Sequence, residues 1–472
     1  MTDLAFRSIA DLASMLRRRK ISPCELLDDT LRRQSALEPE LNMFACLDVE
    51  GARTDAKAAE ARQMQGALLS PLDGIPTSIK DLIAQKGLPQ RFGSRATPST
   101  PCLDDAPSVA RLRAAGAVLL GKSATSEFGC KGVGDSPLTG ITRNPWDRNK
   151  TPGGSSCGAA AMVASGLVPY AIGTDGGGSL RIPAAMCGLF GMKAQFGRVP
   201  VFPVSATPTL AHVGPLARNV DDAATVLGII SGHDRRDPFS IAGPVPDYVA
   251  AAARTRTLRI AYSPTLGFAR PDPSVIGPVE ETVGRLRAGG HIIEEVAHVM
   301  DDPVEMWTAE FYAGVGSKLR DVIERDPDLL DPAVLEVLKK AIAQTMKDYY
   351  ANVFARYAFR ERMRAFFEEY DALISPTLPS TAFEVGKNMP DFLSDRTIVS
   401  WVFYTYAFNL TGQPAASVPA GFAANGLPVG MQIVGGINDE ETVFALSGEI
   451  ERQARFATLR DREESSTPSF TV

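Results

Sequence analysis

The sequence predicts an α/β fold: a single large domain with a mixed, mostly parallel central β-sheet covered on both faces by helices. From residue 71 onward, short apolar segments alternate with Gly/Pro turns and helical segments. This alternation is typical of a sheet whose two faces are both buried. The chain has 472 residues, of which 44% are hydrophobic, so a large core is available. We find no internal repeat and no Pro/Ser-rich linker, which favours one domain.

Helices precede the sheet and strands follow them. The first helix is expected from Ser8 to Arg19, with Asp11 placed as in a capping box, and the second from Pro23 to Ser35, since proline suits the first helical position. A third helix is expected at 50–65, where alanines and charges recur at helical spacing. Strands are expected at 75–82, 118–120, 167–172, 258–262, 292–296, 372–374 and 429–434.

Composition narrows the function classes. A net charge of −6 argues against a general nucleic-acid binder. The six cysteines show neither CxxC pairs nor a disulfide framework, and neither a secretory signal nor an apolar run long enough to span a membrane is apparent. We therefore expect a cytoplasmic protein that binds neither nucleic acid nor membrane. The four histidines form no metal motif, so no metal or cofactor is expected. Few histidines are available for a Ser-His-Asp triad.

Residues 150–193 carry the strongest chemical signal. Ser155 and Ser179 each follow paired or tripled glycines and lie 24 positions apart. Glycine lets backbone N–H groups converge on one point, so Ser179 has the setting of a nucleophile in its own oxyanion hole. A glycine-rich turn between packed elements is the other interpretation.

A serine nucleophile needs a base to accept its proton. With histidine scarce, that base must be Lys, Asp, Glu or another hydroxyl. Lys80 ends an alternating segment that follows the turn signal Asp73-Gly74. At the end of a core strand its ammonium would be desolvated, and burial lowers the pKa of an ammonium. Taken alone, a lysine in such a segment is more often a surface residue.

Three segments together form a longer pattern: DGIPTSIKD at 73–81, PGGSS at 152–156 and GTDGGGSLRIPA at 173–184, with weaker matches at 188–193, 212–215 and 428–432. Through these segments the chain resembles the amidase signature family, serine hydrolases with a Ser–cis-Ser–Lys triad, from about residue 5 to residue 455. The resemblance implies that Ser179 is the nucleophile, Ser155 the relay joined to Gly154 by a cis peptide, and Lys80 the base.

The same resemblance assigns supporting roles. It implies an oxyanion hole made of the backbone N–H groups of Gly176, Gly177, Gly178 and Ser179. Asp175 and Arg181 would orient this loop, a plain structural ion pair being the alternative, and Ser156 would assist the relay. His212 is expected in a turn as a packing residue. Candidate substrate-pocket residues are Phe128, Cys130, Trp307 and Phe311.

The implied domain spans residues 1–460. We divide it into N-terminal helices (1–66), a catalytic core (67–300), a helical layer at the substrate pocket (300–368) and a C-terminal part of the core (369–460), followed by a loose tail (461–472). The implied function is hydrolysis of the C–N bond of small, largely apolar linear carboxamides, such as aryl or acyl amides, with esters or carbamates as further substrates. The reaction would pass through an acyl-Ser179 intermediate in a protein that forms a homodimer.

Two other functions remain open at this stage. One is an amidotransferase subunit acting on a charged tRNA with partner subunits; such subunits resemble the same signature but commonly carry glutamine where this chain has Ile182. The other is a non-catalytic homologue used as a binding module. Retention of Lys80, Ser155 and Ser179 together argues against that role.

Overall fold

The computed structural model of the protein describes residues 4–466, with side chains up to residue 462. The helices in this range are α1 (Ile9–Arg17), α2 (Pro23–Leu41), α3 (Val49–Gln65), α4 (Pro107–Ala114), α5 (Cys157–Ala164), α6 (Arg181–Cys187), α7 (Val220–Ile230), α8 (Tyr248–Ala252), α9 (Pro273–Ala288), α10 (Val304–Lys318), α11 (Arg320–Arg325), α12 (Pro332–Ile342), α13 (Met346–Glu369), α14 (Ala407–Thr411), α15 (Glu440–Gln453) and α16 (Leu459–Ser466). No helix among these residues is long and apolar enough to cross a membrane.

The strands are β1 (Phe44–Leu47), β2 (Pro76–Lys80), β3 (Val118–Ser123), β4 (Asp135–Ser136), β5 (Gly140–Ile141), β6 (Tyr170–Asp175), β7 (Phe190–Lys193), β8 (His212–Ala217), β9 (Arg259–Tyr262), β10 (Ile292–Glu295), β11 (Ala372–Pro376), β12 (Ala415–Phe422) and β13 (Pro428–Gly435). Apart from the β4–β5 pair, they form one sheet in the order β1-β3-β2-β6-β8-β7-β12-β13-β11-β9-β10.

The sheet is mixed. The pairs β3–β2, β2–β6, β11–β9 and β9–β10 are parallel. The other six neighbouring pairs, which include the whole centre of the sheet from β6 to β11, are antiparallel. The short turn at 423–427 joins β12 to β13 and so requires that pair to be antiparallel. Parallel pairing is therefore confined to two blocks on either side of an antiparallel centre.

Both faces of the sheet are buried. Along β11, Ala372 and Ile374 belong to one hydrophobic cluster and Leu373, between them, belongs to another. Ile260 and Ala261 of β9 divide between the same two clusters. Successive strand residues point to opposite faces, so helices must cover both. The predicted fold class, a single α/β domain with a mixed sheet covered on both faces by helices, is confirmed; parallel pairing, which was expected through most of the sheet, is found in four of its ten neighbouring pairs.

The N-terminal helices match their sequence signals. The Ser8 side chain accepts the N–H of Asp11 at the start of α1. Pro23 opens α2, which has a full capping box and continues to Leu41 instead of ending near residue 35, because Pro39 is accommodated inside the helix.

All seven predicted strands are present. Six were not predicted: the short pair β4 and β5 and, in the main sheet, β1, β7, β8 and β12. The last two contain Pro215 and Pro419, residues that weaken a strand signal. His212 is the first residue of β8 and does not lie in the expected turn. At the C-terminus, residues 461–466 continue α16, where a loose tail was expected; residues 467–472 lie outside the described range.

Candidate active site

Lys80 is the last residue of β2 and is fully buried. Its Nζ lies 2.7 Å from Ser155 Oγ, 2.9 Å from Ser156 Oγ and 2.9 Å from Thr174 Oγ1. Burial lowers the pKa of Lys80 from its ordinary 10.5 to about 7. Close to neutral pH, a large share of the molecules therefore carry an uncharged amine in contact with three hydroxyl groups.

Ser155 lies in a tight, glycine-dependent turn before α5. The Gly154–Ser155 peptide is cis, as the resemblance implies. A Cβ on Gly154 would lie 2.2 Å from the carbonyl oxygen of Val133, so only glycine fits there. Ser156 follows, and its hydroxyl donates to the carbonyl of Thr174 at 3.2 Å. Backbone packing and the Lys80 contact thus hold both hydroxyls below the cavity.

Ser179 lies between β6 and α6 and lines the same cavity as Ser155. The residue is 8% exposed, and its hydroxyl has no hydrogen-bond partner among the described residues. Among the residues that the structure describes, no hydrogen bond joins the side chains of Ser155 and Ser179. The contact between Lys80 and Ser155 is formed, whereas the Ser179 hydroxyl is free to face a ligand.

The glycine loop before Ser179 is fixed through its carbonyls. Trp307 Nε1 donates to the carbonyl of Gly176 at 2.8 Å, and Thr405 Oγ1 donates to that of Gly177 at 2.6 Å. In a trans peptide the N–H points opposite to the carbonyl, so these two bonds also set the directions of the N–H groups of Gly177 and Gly178. Neither donor was identified as a loop anchor from the sequence.

The loop offers fewer free donors than expected. The N–H of Gly178 donates to Asp175 Oδ1 at 2.7 Å and is therefore already used. Within residues 4–466, the N–H groups of Gly176, Gly177 and Ser179 make no such bond. Of the four N–H groups predicted as oxyanion donors, three make no hydrogen bond within the described residues, and the fourth, that of Gly178, is taken up by the Asp175 carboxylate.

Asp175 and Arg181 form a fully buried ion pair behind this loop. Arg181 donates from Nε and Nη2 to the two carboxylate oxygens, both at 3.0 Å. Its other donors reach the carbonyl of Thr405 at 2.9 Å, Gln432 Oε1 at 2.8 Å and Asn409 Oδ1 at 2.7 Å. Burial alone would raise the pKa of Asp175, but the charge and hydrogen bonds of Arg181 hold it well below its ordinary range. The expectation that this pair orients the loop is consistent with its buried position beneath the glycines.

The cavity above the two serines has a volume of about 300 Å³. Its wall is mostly apolar, and Phe128, Phe311 and the segment 200–207 contribute to it. Of its charged side chains, Asp175 is paired with Arg181, and Lys318 lies at the exposed rim, where its Nζ is 3.2 Å from the carbonyl of Val204. The segment 200–207 was not expected in the wall, since it carries no motif.

Two candidate pocket residues lie one layer behind the wall. Trp307 stacks on Phe311 with ring centroids 4.4 Å apart, so Phe311 separates it from the cavity. Cys130 is buried, and its carbonyl accepts the hydroxyl of Tyr312 at 3.0 Å. Of the four candidates, Phe128 and Phe311 line this cavity, whereas Trp307 and Cys130 lie behind its wall.

A buried carboxyl, Glu127, positions Phe128 and was missed from the sequence. Ser94 Oγ and the backbone N–H of Asp331 each donate to it at 2.7 Å. The Asp331 carboxylate, in turn, pairs with Lys131 at 2.7 Å. These bonds tie the loop of Phe128 to the start of α12.

No group of three or more His, Cys, Asp or Glu residues suited to a metal occurs in the described range.

Comparison with known proteins places this site in a family. The family model described as Amidase matches residues 25–444. An acylamidase of Rhodococcus erythropolis is 35% identical over 440 residues, covering 91% of this chain and 92% of its own. A glutamyl-tRNA(Gln) amidotransferase subunit of Methylococcus capsulatus is 37% identical over 470 residues, covering 93% of this chain and 95% of its own.

A solved structure is similarly close. The crystal structure of a bacterial aryl acylamidase belonging to the amidase signature enzymes superimposes with a TM-score of 0.89 at 28% identity. The match covers 96% of this chain and 97% of that one. The family match, the relatives and the shared fold each extend over most of the chain. The chain therefore belongs to the amidase family, whose members are enzymes that act on amide bonds.

Proposed function

We propose that the enzyme hydrolyses small, largely apolar carboxamides through an acyl-enzyme formed on Ser179. The observation that carries this proposal is the buried amine of Lys80, 2.7 Å from the hydroxyl of Ser155, below a cavity that Ser179 also lines. An uncharged amine can accept a proton, and a nearby hydroxyl can relay one. Ser179 then acts as the nucleophile, Ser155 as the relay and Lys80 as the general base.

Acylation follows from these positions. Lys80 accepts the proton of Ser155 as Ser155 accepts that of Ser179, and the Ser179 oxygen attacks the amide carbon. The N–H groups of Gly176, Gly177 and Ser179 stabilise the negative charge on the carbonyl oxygen. In comparable sites the loss of one such donor costs about 3–4 kcal/mol. The C–N bond breaks as the relay returns a proton to the nitrogen, so the amine leaves uncharged.

Deacylation uses the same groups in a second round. A water molecule gives its proton to the relay and attacks the acyl carbon, and the proton then returns to the Ser179 oxygen as the ester bond breaks. One amide and one water become one carboxylic acid and one amine. Lys80 begins and ends each round without its additional proton.

The cavity supports a small, apolar substrate. Its volume of about 300 Å³ is at the lower end of the range of roughly 300–1,000 Å³ found for ligand pockets. Phe128 and Phe311 offer apolar surface to an aryl or alkyl group. Similarity to an acylamidase and to an aryl acylamidase agrees with such substrates. Esters and carbamates of the same size are expected to enter as well.

The test measures the turnover of amides that vary in acyl length and in leaving amine, with release of the amine as the readout. Ser179→Ala is expected to abolish acyl-enzyme formation without loss of the fold. Ser205→Ala removes another serine hydroxyl from the same cavity wall and is the matched control; it should retain most of the activity. Full turnover by Ser179→Ala would reject the assignment of the nucleophile.

A second candidate is an amidotransferase subunit, favoured by the similarity to the Methylococcus capsulatus protein. Against it, Ile182 occupies the position where such subunits commonly carry glutamine, and the cavity wall is mostly apolar. Ammonia release from glutamine faster than amine release from anilides, or co-purification with partner subunits, would favour this candidate. A purified protein that a serine-directed acylating probe fails to label would instead favour a non-catalytic homologue.

We further propose a cytoplasmic location and a homodimer. The location is supported by the six cysteines, none of which forms a disulfide within the described residues, because disulfides are rare in the reducing cytosol. Fractionation of cells that express the protein, with detection by antibody, tests the location. A secreted or membrane-bound protein would contradict it.

A further inference from the structure

The peptide that carries the N–H of Gly176 is anchored by two side chains. The carbonyl oxygen of Asp175, which belongs to the same peptide, lies 3.1 Å from Nδ1 of His212 and 3.0 Å from Nδ2 of Asn409. The carbonyl and the N–H of a trans peptide point in opposite directions, so both contacts direct the Gly176 N–H away from these side chains. The first N–H group of the glycine loop therefore depends on contacts that the proton transfers do not use.

His212 is held firmly beside this carbonyl. It is the first residue of β8 and pairs with Asp175, the last residue of β6, across the antiparallel ladder. The residue is 4% exposed and lines the cavity. Its ring packs edge-on against that of Phe196, with the ring centroids 5.6 Å apart. Strand pairing and ring packing thus keep Nδ1 next to the Asp175 carbonyl.

The hydrogen bonds of His212 determine which ring nitrogen carries hydrogen. Nδ1 lies 2.8 Å from the carbonyl oxygen of Leu210 and 3.1 Å from that of Asp175, and carbonyl oxygens only accept. Nδ1 must therefore be the donor, with its N–H shared between the two carbonyls. Burial lowers the pKa of the ring well below its ordinary 6.5, so the ring is neutral near pH 7. Nε2, 3.5 Å from Nζ of Lys193, is then left as an acceptor.

We propose that His212 is a positioning residue of the oxyanion hole, because its Nδ1–H holds the Asp175 carbonyl and so aims the N–H of Gly176. This role rests on the proposed acyl transfer, in which that N–H meets the substrate oxygen as it becomes negative. Trp307 and Thr405 hold the carbonyls of the next two peptides in the same way. The sequence predicted only a packing role for His212, so the two roles can be tested against each other.

Two substitutions of His212 separate positioning from packing. The amide nitrogen of asparagine is as many bonds from Cβ as Nδ1, so His212→Asn keeps a donor but loses most of the ring. His212→Phe keeps a ring but has no donor. If His212 only packs, the phenylalanine variant should be the more active of the two. If His212 positions the peptide, the asparagine variant should be the more active.

Steady-state kinetics with a small anilide give the first readout. In His212→Phe, kcat should fall about tenfold with little change in KM, because a misdirected N–H affects the oxyanion more than the bound amide. The loss is partial because Asn409 still bonds to the Asp175 carbonyl. His212→Asn should retain kcat within about threefold of the wild type. A trifluoromethyl ketone, whose oxygen becomes an anion when a serine adds to it, should bind His212→Phe about tenfold more weakly.

His291 provides a matched control. It is also buried, and it precedes β10 at an edge of the sheet. Its Nδ1 accepts the backbone N–H of Leu258 at 3.1 Å, and its Nε2 lies 3.2 Å from a carboxylate oxygen of Glu449. His291→Phe therefore breaks as many hydrogen bonds of a buried ring, yet it should leave kcat unchanged.

The position of the ring hydrogen is a readout that does not depend on activity. In nitrogen NMR spectra of the full chain made with isotope-labelled histidine, and assigned with His212→Asn, the His212 ring should carry hydrogen on Nδ1. Hydrogen on Nε2 alone would overturn the proposal. So would a wild-type kcat in His212→Phe, a loss confined to KM, or a His212→Asn variant less active than His212→Phe. A wild type that turns over no amide would overturn the proposed function, and this role with it.

Discussion

Replacement of Lys80 by methionine tests whether this amine is buried without its charge. Burial lowers the Lys80 pKa from 10.5 to about 7, so charging it costs about 5 kcal/mol more in the folded protein than in the unfolded chain. Between these two pH values the unfolded chain binds the additional proton and the folded protein does not. The free energy of unfolding of the wild type must therefore rise with pH in that window, by about 1.4 kcal/mol per pH unit.

Lys80→Met removes this contribution. The free energy of unfolding is measured with denaturant at pH 7.5 and at pH 9.5. Between these two pH values it should rise by about 3 kcal/mol more in the wild type than in Lys80→Met. Lys339→Met, at an exposed lysine, is the control and should run parallel to the wild type. Parallel pH curves for wild type and Lys80→Met would refute the reasoning, because they would mean that the folded protein keeps Lys80 charged.

The same titration should appear in catalysis. With a pKa of about 7, the share of uncharged Lys80 rises about tenfold from pH 6 to pH 8, and kcat/KM for a neutral amide should rise with it. Lys80→Met should lose at least about 10²-fold in kcat/KM, the usual contribution of a general base. A wild-type rate that is constant between pH 6 and 8 would show that another group accepts the proton.

Two further predictions concern the glycine loop. Arg181→Met leaves the Asp175 carboxylate buried without its partner and should lower the free energy of unfolding, measured with denaturant, by about 3–5 kcal/mol. The control Arg364→Met breaks an exposed ion pair and should change it by less than about 1 kcal/mol. Equal effects of the two substitutions would contradict the buried-pair account. Trp307→Phe keeps an aromatic ring but loses the bond to the Gly176 carbonyl, so kcat should fall about tenfold with little change in KM; a change confined to KM would show that Trp307 contacts the substrate.

The residues that could be found from the sequence are those with local signals. Lys80, Ser155 and Ser179 each follow a short glycine or proline motif, and the chain brings Lys80 and Ser155 into contact as expected. The fold class followed from the alternation of apolar segments with turns. These patterns are contained in short stretches of sequence, so a single sequence is enough to identify them.

Other features depend on contacts between distant parts of the chain. Asn409 and Gln432 bond to Arg181 from more than 200 positions away. Gln432 ends one of the weaker family matches, but no local pattern indicates that either residue contacts Arg181. Trp307 and Phe311 lie four residues apart and so share one face of α10. Only Phe311 reaches the cavity wall, because Trp307 lies beneath Phe311 and bonds to the glycine loop. Helical spacing identifies a shared face but not the layer in which a side chain ends.

The carboxylate of Asp175 gives a second example. The glycine run suggested four N–H donors for an oxyanion, but the donor of Gly178 is used by this side chain. Only the folded loop shows which amide remains free. The number of donors in such a site is therefore a property of the tertiary structure.

Trapping the acyl-enzyme tests the central claim most directly. The wild type is mixed with a slowly deacylated carbamate or activated ester, quenched, and analysed by intact mass and peptide mapping. We predict one acyl group on Ser179, formed much more slowly in Ser155→Ala and Lys80→Met and not at all in Ser179→Ala. An acyl group on a different residue, or labelling of Ser179→Ala at the wild-type rate, would contradict the account.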